Sequence, residues 1–302
     1  MGNKIESVGV LGAGQMGLGI AQVTAQAGVK TVLVKATPGD TGKLREKIDG
    51  AYGRDVEKGR MKAEDKDAAM GRLSVTTSFD ELGACDLVIE SIVEDLGTKI
   101  EAFGRLESLC GPKTIFGSNT STLGITQMAV RTKRPDRFLG VHFFNPAPAM
   151  KLVEIAATLL TDPAVVESVR ELVGRIGKTP VLVRDSTGFV VNRLLVPYML
   201  DAMQEWSRGT ASISDIDAAM CNGANHPMGP FALADFIGLD VVYEMASNLY
   251  EEYREPRFAP PPVLRRLFLA GQLGRKSKRG FYDYSTKPPA VNAALGSALT
   301  SS

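Results

Sequence analysis

The sequence is poor in the residues that would tie it to several broad classes. Its 302 residues include two histidines, three cysteines and one tryptophan. Cys85, Cys110 and Cys221 are widely spaced and lack the grouping that ligates metal, so no metal site is expected. So few cysteines imply reduced thiols rather than a disulfide framework, and a cytoplasmic location. A net charge of +1 gives no case for a nucleic-acid or membrane-surface partner. No apolar run approaches the roughly 18 residues of a membrane helix. The first strand is expected from Ile5, which leaves no room for a signal or transit peptide. Met1-Gly2 is like the start of a myristoylation site, but Glu6 stands where Ser or Thr is required. Repeats are lacking, and only Pro260-Pro261-Pro262 and the Ala/Ser-rich tail are locally irregular. What remains, at 44% apolar and 23% charged residues, is the composition of an ordinary globular protein with length for about two domains.

Because histidine is rare, the stretch 140–155, GVHFFNPAPAMKLVEI, stands out. His142 lies in the apolar run Phe138, Leu139, Val141, Phe143, which predicts a buried strand. Pro146 and Pro148 cannot continue it, so the chain must turn, and residues 152–155 predict a second strand carrying Glu154. Adjacent strands can bring imidazole and carboxylate together, which holds a histidine in one tautomer and makes it a better base. A core histidine beside a surface glutamate explains the stretch alone equally well.

Residues 5–11 form a β-branched run followed at once by Gly12-Ala13-Gly14-Gln15-Met16-Gly17, then an amphipathic pattern over 15–27 and a strand over 31–34. Strand, glycine turn, helix and strand are the context of a dinucleotide site. Gly12 permits the tight turn, Gly14 lets backbone approach a pyrophosphate, Gly17 lets helix and strand pack closely, and the helix N-terminus attracts the phosphates. Where an acid usually grips the ribose of NAD stands Lys35, a cation suited to the 2′-phosphate of NADP; Asp40 is the alternative partner for the ribose hydroxyls. Residues 42–70 predict a charged helical arm whose cations, Lys58 among them, either face solvent or hold an anionic substrate tail. Strands are expected at 73–76, 87–90 and 115–119, with a helix at 98–109, and Glu90 to Glu94 at the carboxyl edge of the sheet, where ligands bind. Thr120-Ser121-Thr122 is expected to cap the next helix. A helix at 163–176 and a strand at 181–183 complete the first domain. From Gly188 the periodicity is helical with no convincing strand, and Asp185-Ser186-Thr187 is expected to cap a long helix that holds Asn192. The predicted fold is therefore an α/β Rossmann-type domain over 1–184, with a mostly parallel doubly wound sheet, followed by an all-α domain over 185–302. The apolar helical faces of the second domain predict a homodimer.

Together these motifs resemble the L-3-hydroxyacyl-CoA dehydrogenase family, near its short 3-hydroxybutyryl-CoA dehydrogenase members. The resemblance rests on GAGQMG, SNTSTL at 118–123, the 140–155 stretch, DSTGFVVNR at 185–193, PMGPFALADFIGLD at 227–240 and GRKSKRGFYDY at 274–284. It implies hydride transfer between NAD(H), or NADP(H) given Lys35, and C3 of a short 3-hydroxyacyl-CoA. It makes His142 the acid/base, Glu154 its partner, and Ser121 and Asn192 the polar residues completing the site, in a cleft between the domains. Glu94, Lys99 and Asn145 fall where the family contacts nucleotide or substrate, and Lys58 in its CoA-binding arm. Lys278 stands where a small residue is more usual. His226, between Asn225 and Pro227, reads as an incidental loop residue. Two alternatives remain: a CoA-independent dehydrogenase of a free hydroxy or sugar acid, and a non-catalytic nucleotide-binding dimer.

Overall fold

The apolar runs of the first 184 residues pair into one eight-stranded sheet in the computed structural model, which describes residues 4–296. Met1, Gly2 and the end of the Ala/Ser-rich tail lie outside the described residues. The chain divides into two compact units between Phe189 and Val190.

In the first unit, β1 (Ser7–Leu11), α1 (Gln15–Gln26), β2 (Lys30–Val34), α2 (Gly42–Glu57), α3 (Ala63–Arg72), β3 (Leu73–Thr76) and β4 (Leu87–Glu90) follow in order. They are followed by α4 (Leu96–Leu109), β5 (Ile115–Ser118), α5 (Ile125–Ala129), β6 (Phe138–Phe143), β7 (Leu152–Ala157), α6 (Pro163–Arg175) and β8 (Thr179–Arg184). The strand order is β3-β2-β1-β4-β5-β6-β7-β8, parallel except where β6 meets β7. The short 144–151 connection explains that exception, since a parallel return needs a crossover of a dozen residues or more. The order reverses between β1 and β4, which makes the carboxyl ends of those two strands the place where such sheets bind ligands. Apolar side chains cover both faces: Val10, Leu33, Ile89 and Val169 belong to one buried cluster, Leu11, Phe103, Phe116 and Phe138 to the other.

The second unit holds α7 (Val191–Ser207), α8 (Ile213–Gly223), α9 (Pro230–Ile237), α10 (Leu239–Tyr253) and α11 (Pro262–Leu269) around Met199, Phe231, Leu249 and Phe281. It also carries a two-stranded ribbon, β9 (Tyr282–Asp283) with β10 (Ala290–Val291), so the expectation that no strand follows Gly188 is corrected. Two-residue strands are too short to show alternation. Two buried acids organise this unit. Asp217 accepts from the Phe231 and Ala232 amides and the Tyr282 hydroxyl, and Asp235 from the Phe281 and Tyr282 amides and the Tyr284 hydroxyl. Burial nevertheless pushes the Asp235 carboxyl up to about 6.

Within the Asp185-Ser186-Thr187 cluster expected at the start of α7, Asp185 turns to another helix: its carboxylate accepts from the amides of Ile125 (2.9 Å) and Thr126 (2.7 Å) and so caps α5. The N-cap residue of α5 is Gly124, and the Thr120 hydroxyl accepts from the Leu123 amide just before it. Lys278 takes a left-handed backbone, φ +61°, a conformation that favours glycine over residues with a Cβ.

Candidate active site

The antiparallel register of β6 and β7 sets His142 directly opposite Glu154, and directly opposed residues project from the same face of a sheet. Nδ1 of His142 lies 2.9 Å from Oε2 of Glu154, and Nε2 lies 3.1 Å from the Ser121 hydroxyl. With a carboxylate as acceptor, Nδ1 carries the proton, and Nε2 is left to accept from Ser121 or from a substrate hydroxyl. Both members of the pair are buried, with side-chain exposures of 5% and 1%. The rings of Phe144 and Phe189 flank the imidazole, with centroids at 4.6 and 5.5 Å. A polar chain held among apolar walls is thus aimed through Nε2, a geometry that can move a proton.

Ser121 sits in the loop after β5, and that loop is organised from below. One oxygen of Glu94 accepts from the Thr120 hydroxyl at 2.5 Å and from the Ser121 amide at 3.0 Å. The other pairs with Lys99 at 3.2 Å. Burial opposes the charge on Glu94, but the Lys99 ammonium and these donors outweigh it and hold the carboxyl below its ordinary range. Lys99 also donates to Glu90 at 2.5 Å, and Glu90 accepts from the Ser118 hydroxyl and the Ile92 amide. Lys99, 1% exposed at its side chain, sets its ammonium between these two carboxylates. Asn119 ties the strand ends together, accepting from the Phe143 amide and donating to the Ser91 hydroxyl.

The glycine turn divides into two kinds of position. A Cβ on Gly12 (φ +114°) would stand 2.3 Å from the Ser91 carbonyl oxygen, and one on Gly17 would stand 1.8 Å from that of Gly12. These two are glycine because the backbone leaves no room. At Gly14 a Cβ would meet nothing within 4 Å. Gly14 is the N-cap of α1, without a side-chain cap or an acid in the first turn. The α1 amides therefore face open space beside Gln15 and Met16, and these residues fit a dinucleotide pyrophosphate. Lys35, after β2, donates through Nζ to the Thr37 and Pro38 carbonyls, while Asp40 accepts from the Gly42 amide at the start of α2. Lys58 ends α2 as an exposed cation, Asn145 is exposed after β6, and Asn192 is the second residue of α7 in the second unit. His226 lies in a loop, exposed, 3.0 Å from the Tyr198 hydroxyl. No group of three or more acids, cysteines or histidines suited to a metal ion occurs among the described residues.

Comparison with known proteins decides what this arrangement belongs to. Residues 7–186 match the family model for the 3-hydroxyacyl-CoA dehydrogenase NAD binding domain, and residues 188–284 match the model for the C-terminal domain of the same enzymes. The chain belongs to the 3-hydroxyacyl-CoA dehydrogenase family. It is 43% identical over 286 residues to a 3-hydroxybutyryl-CoA dehydrogenase of Mycobacterium tuberculosis, covering 94% of this chain and 100% of the relative. A Clostridioides difficile 3-hydroxybutyryl-CoA dehydrogenase is 44% identical over 276 residues, 91% of this chain and 98% of the relative. The solved (S)-3-hydroxybutyryl-CoA dehydrogenase of Ralstonia eutropha superposes with a TM-score of 0.91 at 40% identity, covering 94% of this chain and 100% of that one. The sheet that carries His142 is therefore the NAD-binding domain of a 3-hydroxyacyl-CoA dehydrogenase.

Sequence reasoning missed the residues of this dehydrogenase that support its site. Glu90 read only as a strand end, yet it is a fully buried acid. An acid closing an otherwise apolar strand is the signal that could have marked it, because such a residue needs a buried partner. Asn119 and Phe189 were quoted within motifs without a role, and Thr120 only as a cap; their partners come from other parts of the sheet and its loops.

Proposed function

We propose that this dehydrogenase interconverts short-chain L-3-hydroxyacyl-CoA and 3-oxoacyl-CoA, with His142 as acid/base. The observation that carries the proposal is the buried Ser121–His142–Glu154 chain. In oxidation, Nε2 of His142 takes the proton of the 3-hydroxyl, and Glu154 stabilises the imidazolium through Nδ1. In reduction, the same nitrogen returns the proton to the forming alkoxide. Ser121 and Asn192 donate hydrogen bonds to the developing oxyanion, a contribution of a few kcal/mol when preorganised. A bound nicotinamide supplies or accepts the hydride at C3. Gly12, Gly14, Gln15, Met16 and Gly17 hold its pyrophosphate at the α1 N-terminus, with Glu94 and Asn145 nearer the reacting end.

NAD(H) is the proposed cofactor. Lys35 spends hydrogen bonds on its own loop, which favours NAD(H) over NADP(H), and Asp40 stands close enough in sequence to take the ribose hydroxyls. The cations of α2, Lys58 among them, support a CoA tail and weigh against a free hydroxy acid. Exposed apolar side chains on the helical unit, Leu194 at 64%, Phe236 at 53% and Leu269 at 70%, support a homodimer. No described helix is long and apolar enough to cross a membrane, and with the free thiols this supports a cytoplasmic enzyme.

The test is acetoacetyl-CoA reduction with NADH and with NADPH, followed at 340 nm, for the native enzyme and His142→Gln. The expected result is native turnover with a preference for NADH, and a loss of at least about a hundredfold in the variant. Turnover that survives His142→Gln, or activity confined to a free hydroxy acid, would overturn the proposal.

A further inference from the structure

We infer that Phe189 is a positioning residue for proton transfer: its ring, aimed by a left-handed backbone, fixes the plane of the His142 imidazole. This rests on the acid/base role proposed above for His142. An imidazole held at Nδ1 by Glu154 is still free to swing about that contact. Its other contact is the Ser121 hydroxyl at Nε2. Nε2 is also the atom that must reach the substrate hydroxyl, so the Ser121 contact cannot hold the ring throughout turnover. What remains to hold the plane is packing. Phe144 lies two residues along the chain from His142 and is half-buried, so it moves with the backbone that carries the imidazole. Phe189 arrives from beyond β8 and is 3% exposed. Its ring centroid lies 5.5 Å from that of the imidazole, at an interplanar angle of 48°. Phe189 is therefore the independent wall.

The backbone at Phe189 is the second observation. Its φ is +45°, and that of Gly188 before it is +77°. Glycine takes the left-handed region freely, but for a bulky side chain it is an outlier. The turn is nevertheless closed there, with the Phe189 amide donating to the Ser186 carbonyl at 2.9 Å. Asp185, one residue before Ser186, is tied to the α5 amides, so the turn is anchored from outside. A strained conformation persists only where its surroundings fix it, and such residues gather at functional sites. Filling the cluster of Leu11, Phe103 and Phe138 needs apolar bulk, not an aromatic residue in a strained turn. What the strained phenylalanine adds is a flat ring at a set angle to the imidazole, and aromatic rings prefer defined relative orientations.

The test is a double-mutant cycle on oxidation of L-3-hydroxybutyryl-CoA at saturating NAD. One arm is Phe189→Leu, which keeps apolar bulk and a Cβ in the left-handed turn but removes the flat ring. The other arm is His142→Gln. We expect Phe189→Leu to lower kcat by about tenfold, with KM for the acyl-CoA within about twofold of the native value. In the His142→Gln background, itself down by at least about a hundredfold, the change should cost less than about twofold, because the group it positions is gone. A full tenfold loss in that background overturns the inference while leaving His142 as acid/base. So does a native kcat for Phe189→Leu alone, or a raised KM with kcat intact. A native kcat in His142→Gln overturns the reading of His142 and this inference with it. With two histidines in the protein, nitrogen NMR of the imidazoles reads the ring directly. One Nδ1–H signal from His142 is expected in the native enzyme; Phe189→Leu should broaden it, and an unchanged signal sinks the proposal. Should Phe189→Leu not fold, Phe189→Met takes its arm, since an unbranched thioether fills irregular gaps, and the same coupling to His142→Gln is required.

Discussion

Glu154→Gln isolates the charge on the partner of His142. Glutamine has the shape of glutamate and keeps an oxygen that can accept from Nδ1, so ring orientation and tautomer persist while the carboxylate charge is lost. The contact is 2.9 Å between Nδ1 and Oε2, and both charges are delocalised, so their centres lie about 4 Å apart. At an effective dielectric of about 20, two unit charges at that separation interact by about 4 kcal/mol. A neutral hydrogen bond retains roughly half the strength of a charge-assisted one, which leaves a loss of about 2 kcal/mol in stabilising the imidazolium. That corresponds to about a thirtyfold fall in kcat. Glu154 is 1% exposed at its side chain and offers no surface to substrate, so KM should be nearly unchanged. The assay is steady-state oxidation of L-3-hydroxybutyryl-CoA at saturating NAD, the direction in which the imidazolium forms, on protein shown by a thermal melt to be folded. A kcat within threefold of native would refute the reasoning, and so would a raised KM with kcat intact.

Two further predictions concern backbone positions. Gly14→Ala should leave the melting temperature unchanged, because its Cβ enters open space, yet should raise KM for the nicotinamide cofactor by about tenfold through collision with the pyrophosphate. Gly17→Ala, by contrast, should destabilise by about 3 kcal/mol, since the Gly12 carbonyl cannot move aside; equal melting temperatures for the two variants would contradict this division. Lys278→Gly should raise stability by about 0.5–1 kcal/mol by relieving the left-handed backbone at φ +61°. Guanidinium unfolding would show it as a higher midpoint with an unchanged slope, and a lower midpoint would sink the idea.

Where interactions are local, the sequence was legible. The strand–glycine turn–helix–strand unit could be read because every part lies within thirty residues, and each glycine carries a conformational or steric demand. The two strands carrying His142 and Glu154 could be read because a Pro-rich turn joins two apolar runs, but a core histidine beside a surface glutamate fitted the stretch equally well until the register set one opposite the other. The short ribbon of β9 and β10 was not legible, because two-residue strands take their form from a neighbour rather than from alternation. Nor could Lys278 be explained, since a left-handed residue announces itself in sequence only when it is glycine or asparagine.

Local pattern by itself therefore determined the fold class and the dinucleotide turn, and it placed His142 and Glu154 on neighbouring strands. Tertiary structure decided which charges are tools and which are supports. Lys99 and Glu90 are nine residues apart, on a helix and a strand whose relative placement depends on packing across the sheet, and only that packing buries them together. Asp185 caps a helix that starts sixty residues earlier in the chain, a choice made by the end of β8 arriving beside α5. A sequence lists its charges in order, but the low dielectric that makes each one costly, and so assigns it a partner, exists only in the folded chain.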